Sequence, residues 1–399
     1  MLHSRRLSIL FIGTLPPRVG GSAIANSQLL LGCAALGHRV RALAPMTTEA
    51  MQTGDVFAAS HPDIEVTRYF VPSFENSPNV PASDHHRQVE GQQIQEMLSA
   101  LIARERPDIL IIGREAFAWY VPALAATFAL PCLLMVHGAT TIGILTGSYP
   151  EDQARQLLEQ YRRVDLIVTP AKHMAENLRR LDLTNIKVIP NAIDLQRFSP
   201  KPKSEVLLRQ LSIQTDDITI VHASNLKSLK RPLDLVHSAE RTLRQNPNLV
   251  YLIVGDGPCR KPMEEACQIS NIAERFRFIG EVDHERMPEY INLADMVVMP
   301  SAAETQALVY LETQACARLL LASDIPGARE VVVDGETGLL FRTGDIEDLT
   351  SKILLGASDD GLRAHIGHKA WEQVQSHSLS EAVATYAATL AEVVRRRQK

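Results

Sequence analysis

Short, uniformly apolar runs alternate with longer segments of helical period along nearly the whole chain. Leu7–Ile12 is followed by a glycine turn, Gly13–Gly21. A helical pattern then starts at Ser22, with Ala23, Ile24, Ser27, Leu30, Leu31 and Ala34 near one face, and ends at Gly37. Further strands are expected at Val40–Ala44, Ile64–Phe70, Ile109–Ile112, Leu133–Val136, Leu166–Val168 and Lys187–Ile189, with helices over 94–104, 151–163 and 171–180. A second series has strands at Ile218–His222, Val250–Val254, Phe276–Gly280 and Met296–Met299, then helices over 347–355 and from about Leu379. Runs without polar alternation mark strands buried on both faces, so parallel sheets covered by helices are expected. Pro72–Gln93, rich in Pro, Ser, Asn and His, reads as a loop, and Phe198–Lys203 as a linker. The expected architecture is α/β: two Rossmann-like doubly wound domains, 1–197 and 198–379, facing a cleft. The last helix, about 380–399, packs back on the first domain.

Composition changes this picture little. The chain has 399 residues, 45% hydrophobic and 22% charged, with a formal net charge of −5. That length favours two cores over one. Residues 1–199 carry 18 basic and 18 acidic side chains, the remainder 23 and 28. Neither half is basic, which argues against nucleic acid as a partner. No apolar run is long enough to span a bilayer, and the N-terminal MLHSRRLSILFIG reads as a first strand rather than a signal peptide. Arg395–Arg397 reads as cations at a helix C-terminus, so any membrane contact is at most peripheral. Five scattered cysteines without CxxC spacing suit reduced thiols and a cytoplasmic location. Asp84-His85-His86 reads as a solvated polar stretch, and no metal ligand is assigned.

The candidate chemistry gathers at strand ends, where open α/β sheets hold their ligands. Met296–Met299 runs into a polar turn holding Glu304, and a helix-like segment carries Glu312 eight residues later. Two carboxylates flanking a helix start, whose amides suit a phosphate, fit a nucleotide sugar. One would take sugar hydroxyls and the other ribose hydroxyls. Alone, this spacing is better read as solvated helix charges. The loop after Ile218–His222 carries Lys227, Lys230 and Arg231 ahead of Pro232, a diphosphate clamp or a solvated basic loop. Gly20-Gly21 would let a ligand approach the backbone or simply make a tight turn. His137 stands at the end of its strand, a ligand-facing or a core histidine.

Seven stretches together resemble the retaining GT-B glycosyltransferases of glycosyltransferase family 4. They are VGGSAIA (19–25), VHG (136–138), VIPNAIDLQRF (188–198), SNLKSLKRP (224–232), VGDGP (254–258), ADMVVMPSAAETQALVYLETQACA (294–317) and DGETGLLF (334–341). VGGS and SNLKSLKRP most resemble the bacillithiol-pathway type, which joins N-acetylglucosamine to malate. The resemblance implies catalytic roles for His137, Lys230 and Glu304. It implies donor binding by Gly20, Gly21, Asn225, Lys230, Arg231, Val282, Thr305, Gln306, Ala307, Leu308, Val309 and Glu312. Acceptor groups are expected from the first domain, with Arg114, Tyr120, Thr140 and Thr141 as candidates. Gln306-Ala307 stands where Phe-Gly is usual. Ala317 replaces a usual Gly, and Pro326 replaces a Gly before Gly327; these departures bear on which sugar is accepted.

The expected reaction moves a sugar from a nucleoside diphosphate sugar, UDP- or GDP-linked, to a small polar or saccharide acceptor. Configuration would be retained by a front-face path without a metal or prosthetic group. A homodimer is left open. The alternatives are a sugar-nucleotide 2-epimerase, which shares the two-domain architecture, and a non-catalytic sugar-nucleotide binder.

Overall fold

The thirteen strands among the described residues are all parallel and fall into two separate sheets. The structure is a computed structural model that describes residues 5–17, 20–46, 55–70 and 84–398. The chain divides into two compact units, residues 1–190 with 380–399, and residues 191–379.

The first unit holds β1 (Ser8–Ile12), β2 (Arg39–Pro45), β3 (Ile64–Tyr69), β4 (Ile109–Ile112), β5 (Cys132–Met135), β6 (Leu166–Thr169) and β7 (Ile186–Val188), in the order β3-β2-β1-β4-β5-β6-β7. The order reverses between β1 and β4, so the turns after these strands flank a switch point. Gly13 and Gly113 follow the two strands, and the Phe11 ring lies against both; a Cβ on Gly113 would come within 2.1 Å of it. Asn26 clasps the same turns, donating from Nδ2 to the Thr14 and Gly113 carbonyls at 3.0 Å each.

The second unit holds β8 (Ile218–Ala223), β9 (Leu249–Val254), β10 (Phe276–Gly280), β11 (Met296–Met299), β12 (Leu319–Ser323) and β13 (Leu339–Phe341), in the order β10-β9-β8-β11-β12-β13. Its reversal lies between β8 and β11. The loops entered from these two strands are the SNLKSLKRP loop and the loop that holds Glu304. In both units the central strands are fully buried, with apolar clusters above and below each sheet. This is the packing that the uniformly apolar runs require.

Two features differ from the sequence reading: the start of one helix and the point where the units meet in the chain. The helix expected to start at Ile94 spans Asp84–Arg104. Within its first part Gln88, Val89 and Gln92 are exposed, yet Glu90 and Gly91 are buried, with Gly91 bare against the Tyr120 ring. The rest of the predicted loop, residues 72–83, lies outside the described residues, as do the side chains of Asp84, His85 and His86. The chain passes from one unit to the other at Pro190/Asn191, ahead of the Pro/Lys stretch. Residues from Asn191 onward already belong to the second unit: Ile193 and Phe198 lie in its core, and Lys203 pairs with Asp295 at 2.5 Å. The helix Leu379–Gln398 returns to the first unit, where Leu390, Val393 and Val394 join the cluster of Leu7, Ile9 and Phe11. Its terminal Arg396 and Arg397 pair with Glu392 and Asp165 at 2.5 and 3.3 Å. Among the described residues, no helix is long and apolar enough to cross a membrane.

Candidate functional site

In the second unit, the two loops at the switch point are fastened to each other. The Ala302 amide donates to the Leu229 carbonyl at 2.8 Å. Beside this link, Lys230 Nζ donates to Glu304 Oε1 at 2.6 Å, and Ser301 Oγ donates to the same oxygen at 2.7 Å. The Glu304 side chain is 9% exposed and that of Lys230 21%. The cation and the carboxylate, 74 residues apart in sequence, thus form one partly buried pair at the carboxyl ends of β8 and β11.

The backbone that presents Lys230 is strained. Leu226 and Arg231 both take left-handed conformations, with φ of 32 and 48°. Such strain persists only where surrounding contacts hold it. Beneath the loop, Gly255 and Gly257 of the GDGP turn have φ of 115 and 153°. A Cβ on Gly255 would sit 1.9 Å from the Ser224 carbonyl, and one on Gly257 2.2 Å from that of Asn225. These glycines let one backbone support the other. Pro232 at the first helical turn starts the helix Pro232–Gln245 without losing a needed amide bond. Arg231 forks onto Asp234 at 2.7 and 3.2 Å and rests against Gly344, so its guanidinium is held to one side. Asn225 Oδ1 is buried and has no hydrogen-bond partner among the described residues.

His222, fully buried in β8, extends the support downward. Its Nδ1 lies 2.9 Å from the Val298 carbonyl of β11, and its Nε2 2.8 Å from Ser224 Oγ. A carbonyl only accepts, so Nδ1 carries the proton, and neutral Nε2 accepts from the serine. Ser224 Oγ in turn accepts from the Leu226 amide at 3.2 Å, which pins the strained turn. Burial pushes His222 down to about 4, with Lys230 acting in the same direction against the Val298 bond and Glu304. Its folded pKa thus lies below the unfolded value, and its contribution to stability is present above about pH 6.5. That contribution is lost as the pH falls toward 4, by about 1.4 kcal/mol per pH unit. His222→Asn keeps a donor toward Val298 and does not titrate. It is expected to be less stable at pH 7 but to lose less between pH 6.5 and 4.5, measured as urea midpoints; equal losses in both proteins would contradict this.

The turn after Glu304 leads to Ala307, which precedes the helix Leu308–Ala315 with no side chain capping its amides. Gly327 lies directly under this turn: a Cβ there would be 2.2 Å from the Glu304 carbonyl and 2.7 Å from that of Thr305. Gln306 is buried and turned toward Asn191, accepting its amide at Oε1 at 2.6 Å while its own carbonyl takes Asn191 Nδ2 at 2.8 Å. Glu312 is also buried, and His284 Nε2 donates to its Oε1 at 2.8 Å. Val282 packs partly buried beside the same core. Ala317 follows the far end of this helix with φ 53°; its amide reaches Gln314 at 2.9 Å and that of Arg318 reaches Thr313 at 3.1 Å. This is a helix stop that prefers glycine for its backbone, so alanine there costs about 1 kcal/mol of strain. Ala317 lies away from the Lys230–Glu304 pair.

In the first unit, β5 delivers His137 and Gly138, the latter with φ 102°, into the short helix Ala139–Leu145. Buried Glu115 caps that helix: it accepts the Gly138 amide at 2.9 Å, the Thr141 amide at 3.0 Å and Thr141 Oγ1 at 2.7 Å. Burial raises the Glu115 carboxyl, and these bonds oppose the rise. His137 is pushed down to about 4 by burial and then by Arg114. Arg114 is itself lowered by burial, against the carboxylates of Glu115 and Glu90 and the hydroxyls of Tyr69 and Tyr149. Tyr120 donates to Glu90 at 3.1 Å, and Thr140 bonds Tyr149. Arg114, His137 and Thr140 therefore share one polar cluster, whereas the hydroxyls of Thr141 and Tyr120 are engaged inside the protein. Gly20, with φ 139°, precedes the helix Gly21–Ala35, and open space lies where its Cβ would be.

Sequence reading assigned no individual role to His284, Ser301, Asn191, Glu115 or Glu90. His284 has one signal, its place two residues after Val282 in the turn leaving β10; Glu115 has only its adjacency to Arg114. Among the described residues, no group of His, Cys, Asp and Glu could hold a metal ion.

Two doubly wound parallel domains, the second with a cation–carboxylate pair at its switch point, define a GT-B protein. Glycosyltransferase Family 4 matches residues 19–197, and Glycosyl transferases group 1 matches residues 203–373. The chain belongs to the group 1 glycosyltransferases, with a family 4 N-terminal domain. It is 28% identical over 296 residues to a D-inositol 3-phosphate glycosyltransferase of Geodermatophilus obscurus, a match over 66% of this chain and 63% of the relative. It is 29% identical to a 2-deoxystreptamine N-acetyl-D-glucosaminyltransferase of Streptomyces fradiae, over 61% of each chain. The matches to these two relatives thus span less than two thirds of their length. An N-acetyl-alpha-D-glucosaminyl L-malate synthase of Bacillus anthracis is 24% identical over 94% of this chain and 95% of its own. HepE of Anabaena, solved with UDP and glucose, superposes with a TM-score of 0.79 at 17% identity, covering 97% of this chain and all of its own. Sucrose-phosphate synthase of Thermosynechococcus elongatus gives 0.78 at 22% identity over 96% and 98%. These two structures share the fold.

Proposed function

We propose that the protein is a retaining glycosyltransferase that moves a sugar from a nucleoside diphosphate sugar to a small polar or saccharide acceptor. The observation that carries this reading is the Lys230–Glu304 pair at the β8/β11 switch point, beside an uncapped helix start. Lys230 and the amides of Ala307, Leu308 and Val309 neutralise the departing diphosphate, Asn225 supports it, and no metal is needed for the step. Glu304 takes the sugar hydroxyls and Glu312 those of the ribose, with Val282 beside the base. Arg231, forked onto Asp234, lends charge from a distance. Thr305 and Gln306 shape the donor turn, Gln306 through its hold on Asn191. No carboxylate is assigned as a nucleophile, which favours a front-face path in which the leaving phosphate helps deprotonate the acceptor. Gly20 and Gly21 give the donor a close backbone approach. The polar cluster of Arg114, His137 and Thr140 serves the acceptor side, where His137, held neutral, hydrogen-bonds without adding charge.

A uridine donor is favoured by the neighbouring fold solved with UDP, and the relatives suggest polar polyols or hydroxy acids as acceptors. The five free cysteines suit a reducing cytoplasm. The test follows release of UDP or GDP from UDP-glucose, UDP-N-acetylglucosamine and GDP-mannose, each with inositol phosphate, malate or 2-deoxystreptamine. Acceptor-dependent release with an α-linked product is expected. Conversion of the donor without any acceptor would instead identify an epimerase, and binding without turnover a non-catalytic protein.

A further inference from the structure

The Glu312 carboxylate is held unequally. Oε1 accepts from His284 Nε2 at 2.8 Å. Among the described residues, no other hydrogen bond reaches this side chain, which keeps 6% of its surface exposed. The helix Leu308–Ala315 that bears it cannot shift easily: Tyr310 and Leu311 are fully buried, and Gln314 donates to the Val331 carbonyl at 2.9 Å. The remaining freedom is rotation of the glutamate itself, and His284 removes it. His284 is positioned in turn, its ring tilted against buried Phe198 with centroids 5.3 Å apart. A carboxylate only accepts, so Nε2 carries the proton whichever form the ring takes.

We propose that His284 is a positioning residue for the nucleoside, fixing the plane of Glu312 so that the carboxylate meets the vicinal hydroxyls of the donor ribose. This rests on the nucleotide-sugar reading of the same site. A pair of neighbouring hydroxyls donates to two carboxylate oxygens at once only if their plane is set beforehand, and preorganisation of this kind raises affinity by lowering the ordering cost. A purely architectural His284, tying the turn after β10 to the helix, would act on every nucleotide alike.

The two roles separate when the 2′-hydroxyl is removed. Binding of UDP and GDP, each beside its 2′-deoxy counterpart, is measured by calorimetry on the full chain. The parent protein is expected to prefer the ribose form of the nucleotide it binds by about tenfold or more, the range of a hydrogen bond to a charged group. In His284→Leu that preference falls to about two- to threefold, by loss of ribonucleotide affinity with deoxynucleotide affinity unchanged; His284→Gln, which keeps a donor at similar reach, restores most of it. Donor KM rises in His284→Leu while kcat at saturating donor stays close to the parent value. Equal weakening of both nucleotides, or an unchanged preference, overturns the proposal and leaves the donor reading standing. Failure of the parent protein to bind either nucleotide overturns both. If His284→Leu does not fold, His284→Asn, which has no donor at the position of Nε2, is read in the same way: a ribose preference equal to the parent's, or equal weakening of both nucleotides, overturns the proposal.

Discussion

Lys230→Met is expected to lower turnover by about 10²–10³-fold, the range seen when one preorganised donor to developing charge is removed. Methionine keeps the unbranched stem, so the change is mainly one of charge. In the free protein Lys230 Nζ sits on Glu304 Oε1 at 2.6 Å, and in the proposed reaction it turns to the diphosphate as negative charge develops there. Without it, Glu304 retains Ser301 as its hydrogen-bond partner and binds sugar hydroxyls without a fixed orientation. The loss should fall on kcat and kcat/KM together, because the interaction grows toward the transition state. Arg231→Ala should be much milder, since that guanidinium is already forked onto Asp234. Rates from saturating donor and acceptor decide it: turnover within threefold of the parent in Lys230→Met removes Lys230 from the mechanism.

Gly327→Ala should be damaging for a different reason. Its Cβ would meet the Glu304 carbonyl at 2.2 Å and that of Thr305 at 2.7 Å. Both obstacles are backbone, so no side-chain rotation relieves the clash. Either Pro326–Arg329 or the turn bearing Glu304 must move. Overpacking of this kind costs about 1–3 kcal/mol, and a displacement near 1 Å at a reacting site costs about 10²-fold in rate. The expected result is a lower urea midpoint with turnover reduced about a hundredfold. A Gly327→Ala protein with unaltered midpoint and rate would mean that the turn has slack.

The fold was legible because strands buried on both faces leave uninterrupted apolar runs such as Ile109–Ile112 and Met296–Met299. The start of the helix Asp84–Arg104 was not legible, since its exposed face carries polar residues that also suit loops. What turns it inward is Glu90 under Tyr120, a contact between distant segments. Glu304, Glu312 and Lys230 could be found through motif spacing, but not the pairings that place them. His284 and Asn191 act through partners 28 and 115 residues away, and no periodicity encodes such distances. Ala317 illustrates the opposite error. Its departure from glycine reads in sequence as a change to the donor site, and in the structure it is a strained helix stop.

The return of the helix Leu379–Gln398 to the first unit sets an order on biosynthesis. Residues 191–379 form the second unit as one continuous stretch, so that unit has all its parts as soon as it leaves the ribosome. The first unit is discontinuous: Leu7, Ile9 and Phe11 emerge early, whereas Leu390, Val393 and Val394 of the same cluster come after the whole second unit has been made. At roughly 5–20 residues per second the wait between Phe11 and Leu390 is on the order of 20–80 s. Of the two parts of this cluster, the one made earlier therefore keeps its apolar face uncovered until the second unit is complete.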